Sequence, residues 1–125
     1  MRAALGFVFL LAALPAVACD TDCWVRIFQK PSFNEAGASV TLCGAVELPT
    51  LKVLEGRDWR DDIASIVVGP TATLQAWKDA NYRDDYHFFD AGRSYPTLKQ
   101  FDLQDDIESL KITCMGQPPA PPPAQ

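Results

Sequence analysis

Two near copies of one phrase, RDDIASIVV from Arg60 and QDDIESLKI from Gln104, hold the residues best suited to chemistry in this chain of 125 residues. Each sets a pair of carboxylates, Asp61 and Asp62 or Asp105 and Asp106, ahead of an isoleucine and then a serine, Ser65 or Ser109. Carboxylates and hydroxyls on a short loop are the oxygen ligands a hard divalent cation takes. Two other origins fit the same letters, because Asp-Asp is a common solvated turn before a strand and a repeated phrase is a trace of duplication. No set of residues suggests a reaction: His87 is the only histidine, and there is neither a Ser-His-acid set nor a glycine-rich phosphate loop. The chain is therefore expected not to be an enzyme. Trp24, Trp59 and Trp77 read as packing residues, and His87, in an apolar aromatic run, as structural or exposed.

The elements that must position these residues lie between two atypical ends. MRAALGFVFLLAALPAVA has a cation at Arg2, an apolar stretch from Ala3 to about Leu14, and Ala16-Val17-Ala18 before Cys19. Residues 1–18 are thus read as a secretory signal peptide, giving a secreted or periplasmic protein. The apolar stretch falls short of the ~20 residues of a membrane-spanning helix, and no later segment approaches that length. Cys19, directly after small residues, also fits a lipoprotein signal in which it is lipidated, although Ala16 stands where such signals prefer leucine. Residues 115–125, MGQPPAPPPAQ, are proline-rich and uncharged and read as an extended, disordered tail. Residues 19–114 remain as a single domain of a size that benefits from staples. Cys19, Cys23, Cys43 and Cys114 form an even set in an exported chain, which predicts two disulfide bonds with three pairings open. Zinc is disfavoured by the absence of a C-x-x-C pair and the lone histidine.

Six short runs rich in β-branched and aromatic residues read as strands: WVRIF from Trp24, ASVTL from Ala38, IASIVV from Ile63, TLQAW from Thr73, DYHFF from Asp85 and ESLKI from Glu108. Almost no long helix is expected. The duplication extends beyond the opening phrase. Phe28 and Phe33 are five apart, as are Trp77 and Tyr82, and each pair follows an alternating strand. The copies are offset by 49 residues at these aromatics and by 44 at the aspartates, so the first half carries five extra residues between hairpin and aspartates.

This order resembles the βγ-crystallin domain: an aromatic pair in a hairpin, glycine and serine in the next strand (Gly37-Ala38-Ser39), and a closing Asp-x-Ile-x-Ser strand. The resemblance implies an all-β, two-sheet antiparallel sandwich of two Greek-key motifs, at about 24–69 and 72–114. It also implies that the three cysteines at strand ends, Cys23, Cys43 and Cys114, gather at the pole opposite Asp61 and Asp105. In that family the phrase is [N/D]-[N/D]-x-x-[S/T]-S, and two such phrases, each joined by a hairpin carbonyl of the other half, make a pair of calcium sites. The candidate metal ligands are accordingly Asp61, Asp62, Ser65, Asp105, Asp106 and Ser109, with Glu35 and Asp84 on the hairpins.

Two registers are open. If Ile63 and Ile107 take the family's buried position, Arg60 and Gln104 stand first and Ala64 and Glu108 replace the hydroxyl ligand, which degrades both sites. If Asp61 and Asp105 stand first, Ser65 and Ser109 supply the hydroxyls, but the following strand must slip by one residue. The expectation is of weakened sites with low calcium affinity. In the hairpins, Gly37 lies two residues later than the family's spacing, and Asp84 takes the glycine's place in the second.

Eleven Lys and Arg against sixteen Asp and Glu give a net charge of −5, or −6 once Arg2 leaves with the signal peptide. Such an acidic surface argues against nucleic acid, which needs a basic stripe. The function implied is an exported structural, calcium-binding module, expected to be monomeric. The alternative is a secreted binding protein with a protein partner, such as a proteinase inhibitor, because some small inhibitors with two disulfides resemble the same fold. Its candidate contact loop is GAVELPTLKVLEGRD, from Gly44 to Asp58.

Overall fold

The computed structural model describes residues 19–116. The signal peptide expected over 1–18, and all but the first two residues of the tail expected over 115–125, lie outside the described residues. Among the described residues, eight strands run β1 (Trp24–Phe28), β2 (Ser39–Cys43), β3 (Val46–Leu48), β4 (Ser65–Val68), β5 (Ala72–Asp79), β6 (Arg83–Phe89), β7 (Ser94–Tyr95) and β8 (Ser109–Cys114). The only helical pieces among the described residues are two three-residue 3-10 turns, Pro31–Phe33 and Lys99–Phe101, and none is long and apolar enough to cross a membrane.

The strands form two antiparallel four-stranded sheets, ordered β2-β1-β4-β7 and β3-β8-β5-β6. Each sheet takes three strands from one half of the chain and one from the other, since β3 pairs with β8 and β7 with β4. This exchange is the Greek-key crossing, and it makes one core of two repeats. Alternation along the strands does the filling. Val25, Ile27, Ile66 and Val68 of the first sheet face Leu74, Ala76, Phe89, Leu110 and Ile112 of the second, all buried. Leu51, Trp59, Ile63, Leu98, Leu103 and Ile107, from the loops before β4 and β8, close one end.

All six runs read as strands contain strands, with shifted bounds: β4 starts at Ser65 rather than Ile63, and β8 at Ser109. Two further strands lie outside those six runs. Val46–Leu48 and Ser94–Tyr95 have three and two residues, too few to show alternation. The linker between the halves depends on Gly69, where an added Cβ would lie 2.7 Å from the Asp22 carbonyl oxygen and 2.8 Å from that of Trp24.

The disulfides are Cys19–Cys43 and Cys23–Cys114, closing 24 and 91 residues. Both lie at one pole, where Trp24 pairs with Cys43 and Ala72 with Cys114. The sulfur of Cys19 is thereby engaged, which leaves none for the thioether of a lipid anchor and removes the lipoprotein reading of Cys19.

Candidate functional site

At the opposite pole the two repeated phrases meet. The Asp61 N–H donates to the Ile107 carbonyl at 2.9 Å, and the Asp105 N–H donates to the Ile63 carbonyl at 3.0 Å. Asp61 and Asp105 both adopt left-handed backbone, with φ of 57° and 55°, a conformation aspartate tolerates better than most residues. Each loop is also tied to its own half, through Ala64 N–H to Phe28 C=O at 2.8 Å and Glu108 N–H to Trp77 C=O at 3.0 Å.

The hairpins repeat as closely. Ser32 and Phe33 have φ of 58° and 57°, and Asn81 and Tyr82 have 61° and 59°. Such backbone is strained for Ser32, Phe33 and Tyr82, though not for asparagine, and persists there only where the surroundings impose it. Here a buried serine does so. The Ser65 hydroxyl donates to the Lys30 carbonyl at 2.6 Å and accepts from the Phe33 N–H at 3.1 Å. Ser109 does the same with the Asp79 carbonyl at 2.6 Å and the Tyr82 N–H at 3.1 Å. The paired rings meet edge to face, Phe28 with Phe33 at 5.7 Å and Trp77 with Tyr82 at 5.1 Å between centroids.

These contacts select the register. Ile63 and Ile107 are fully buried, and Ser65 and Ser109 pin the hairpins from inside. Arg60 and Gln104 therefore stand first in the two motifs, and Ala64 and Glu108 stand at the hydroxyl position. Neither first residue is free for a cation. Arg60 forks onto Asp58, whose carboxyl is lowered to about 2 chiefly by that side-chain hydrogen bond. The Gln104 carbonyl oxygen accepts from the Leu98 N–H at 2.9 Å.

The remaining candidates divide. Asp62 pairs with Arg57, whose guanidinium also stacks on Trp59, and Asp106 lies 3.5 Å from the Lys78 ammonium. On the first hairpin, Glu35 lies 3.6 Å from Arg26. On the second, Asp84 has φ of 72°, which suits the place of a glycine, and accepts from the Asp85 N–H. Asp61 instead faces Glu108, a residue outside the candidate set. Partial burial, then the charge and hydrogen bond of Asp61, raise the Glu108 carboxyl above its ordinary value. Asp105 is raised by burial and then by Asp62. Only the register could have pointed to Glu108, since the letters that mark a lost hydroxyl also bring a carboxylate. No group of three or more His, Cys, Asp or Glu side chains able to hold a metal ion is present among the described residues. His87, stacked on Phe101 at 3.9 Å, belongs to an aromatic cluster with Phe89, and burial lowers its pKa.

No protein-family model matches the sequence, and no curated protein matches it. Solved structures do. A structure described as "Evolution of the eye lens beta-gamma-crystallin domain fold" superposes with a TM-score of 0.67 at 19% identity, over 81% of this chain and 95% of that one. A βγ-crystallin from an archaeon gives 0.58 at 20% identity, over 73% and 98%. A βγ-crystallin domain from Flavobacterium johnsoniae gives 0.56 at 18%, over 75% and 98%. The fold is that of the βγ-crystallin domain.

Proposed function

We propose that this chain, built on the βγ-crystallin fold, is an exported structural module that binds calcium weakly, at one of its two motif positions rather than both. The observation that carries this reading is the reciprocal bonding of the two aspartate loops, which sets Asp61 against Glu108. Two carboxylates crowded together repel, and a cation between them relieves that repulsion. Loop carbonyls add the further oxygens calcium needs. The related position fits less well: Ala64 supplies no oxygen from its side chain, and Asp62 beside Asp105 is held by Arg57. A single carboxylate pair without the hydroxyl makes a weak site, of the ~10⁻³ M class found in extracellular modules.

The test is the thermal midpoint in chelator and in ~10 mM calcium. One site of ~10⁻³ M that binds only the folded state adds about 1.4 kcal/mol. For a domain of this size that is a rise of roughly 6 to 11 °C. Magnesium gives far less, because it demands tight octahedral geometry and sheds water reluctantly. A midpoint that does not move sinks the calcium reading.

A second reading, a binding protein such as a proteinase inhibitor, is favoured by the loop before Trp59. There Leu54 and Arg57 pair across a tight turn, with Glu55 and Gly56 at φ of 53° and 77°. Buried Leu51 and Trp59 anchor the base, and Val53 stands 74% exposed. A rigid projecting loop is what insertion into a cleft requires. Assay against a panel of secreted proteases tests it: inhibition that disappears in Val53→Asp supports it, and no inhibition rejects it.

A further inference from the structure

The outward face of the second sheet presents a row of aromatic rings in which Trp77 and Tyr82 are half-buried and Tyr86 and Phe88 stand exposed. Tyr86 and Phe88, two apart on edge strand β6, share that face and are 57% and 47% exposed. Tyr86 stacks on Trp77 of β5 with 5.5 Å between centroids, and Trp77 meets Tyr82 at 5.1 Å. The Lys111 ammonium, 4.3 Å from the Tyr82 ring, bounds the row on β8. The inward residues of the same strands, Leu74, Ala76, Phe89 and Leu110, are completely buried, so the core is full without these rings. A contiguous exposed aromatic row marks a contact surface.

A ligand suited to such a row is an uncharged proline-rich strand, whose polyproline II form is preorganised and docks between aromatic faces. This chain carries a segment of that composition. Residues 117–125, QPPAPPPAQ, have five prolines and no charge. They are tethered at the correct end of the sheet. Cys114 pairs with Ala72 of β5, the Met115 N–H donates to the Thr71 carbonyl at 2.8 Å, and Gly116, at φ +82°, has the left-handed backbone of a turn. Phe88 pairs with Gln75, three residues along β5 from Ala72. That is ~10 Å along the strand, and β6 is two strand spacings from β8, another ~10 Å. Nine residues of polyproline II span ~28 Å, enough to pass Phe88 and reach Tyr86.

We propose that residues 117–125 dock in cis as a polyproline II strand across Phe88, Tyr86 and Trp77. The tether makes the contact intramolecular, so weak individual contacts suffice. No core residue takes part, and the thermal midpoint hardly depends on it, so the readout is local. The experiment compares NMR spectra of the chain from Cys19 to Gln125 with those of the chain ended at Gly116. The indole N–H of Trp77 and the ring signals of Tyr86 and Phe88 shift on truncation while that of Trp59 stays, and synthetic QPPAPPPAQ added at millimolar concentration moves them back. Tyr86→Ala with Phe88→Ala in the longer chain abolishes contacts between tail and sheet. Spectra that superpose except beside Gly116 overturn the proposal. So do shifts that depend on protein concentration, which would make a second copy the occupant.

Discussion

Removing one oxygen from Ser65 or Ser109 separates a pinning role from a calcium role. In Ser65→Ala the Lys30 carbonyl and the Phe33 N–H lose their partner at a position closed to water. An unsatisfied buried group costs ~1–3 kcal/mol. Two such groups, with some relaxation of the hairpin, give a loss of about 2–4 kcal/mol. At ~4–8 °C per kcal/mol the midpoint falls by roughly 8 to 32 °C. Ser109→Ala frees the Asp79 carbonyl and the Tyr82 N–H in the same geometry and loses a similar amount. The assay is thermal or urea unfolding of each variant and the parent, in chelator and again in ~10 mM calcium. A serine that pins the hairpin costs the same in both. One that ligates calcium costs little in chelator and more with the ion. A loss below ~1 kcal/mol in chelator, or one confined to calcium, would refute the register assigned here.

Other consequences follow from the same contacts. Intact mass after alkylation without reductant finds no free thiol, and mild reduction opens Cys19–Cys43 first, because Cys43 is exposed while Cys23 and Cys114 are buried. Loop-closure entropy gives the 91-residue bond about 4.6 kcal/mol and the 24-residue bond about 3.4; equal losses on replacing either pair by alanine argue against that account. Gly69→Ala forces a Cβ against backbone on the first strand and costs ~1–3 kcal/mol, with an unchanged midpoint as the contrary result. Glu108, its carboxyl raised in the folded state by burial and Asp61, binds its proton more tightly folded than unfolded and so opposes folding once ionised. Glu108→Gln therefore raises the midpoint at pH 7, and the gain fades as pH falls through the raised pKa and past the ordinary glutamate value. A gain equal at pH 7 and pH 4 would show a cause other than charge.

The repeat was legible because the same residues are needed twice: a ring pair to close each hairpin, an isoleucine to enter the core, a serine to pin the turn. Offsets of 49 and 44 in the letters reappear as left-handed backbone at Ser32 and Asn81 and at Asp61 and Asp105. The five extra residues of the first half divide around Pro49. The Ser32 N–H donates to Pro96, whereas Asn81 donates to Pro49; Pro49 lies 17 residues after Ser32, and Pro96 lies 15 after Asn81. Two of the five thus enlarge the first half ahead of Pro49, and the rest lie between Pro49 and Asp61. The register was not legible, because a serine near a strand start serves equally as ligand or pin until its hairpin partners are known. The disulfide pairing depended on which strand ends adjoin. Glu108 gained its meaning from a hydrogen bond between loops 44 residues apart.

Calcium binding to the chain from Cys19, with its Asp61→Asn and Glu108→Gln variants, measured by equilibrium dialysis, bears most directly on the proposed function. The account predicts about one ion per chain with a dissociation constant near 10⁻³ M, lost in either variant and kept in Asp105→Asn. No bound ion at ~10 mM calcium, or two ions insensitive to Asp61 and Glu108, would contradict it.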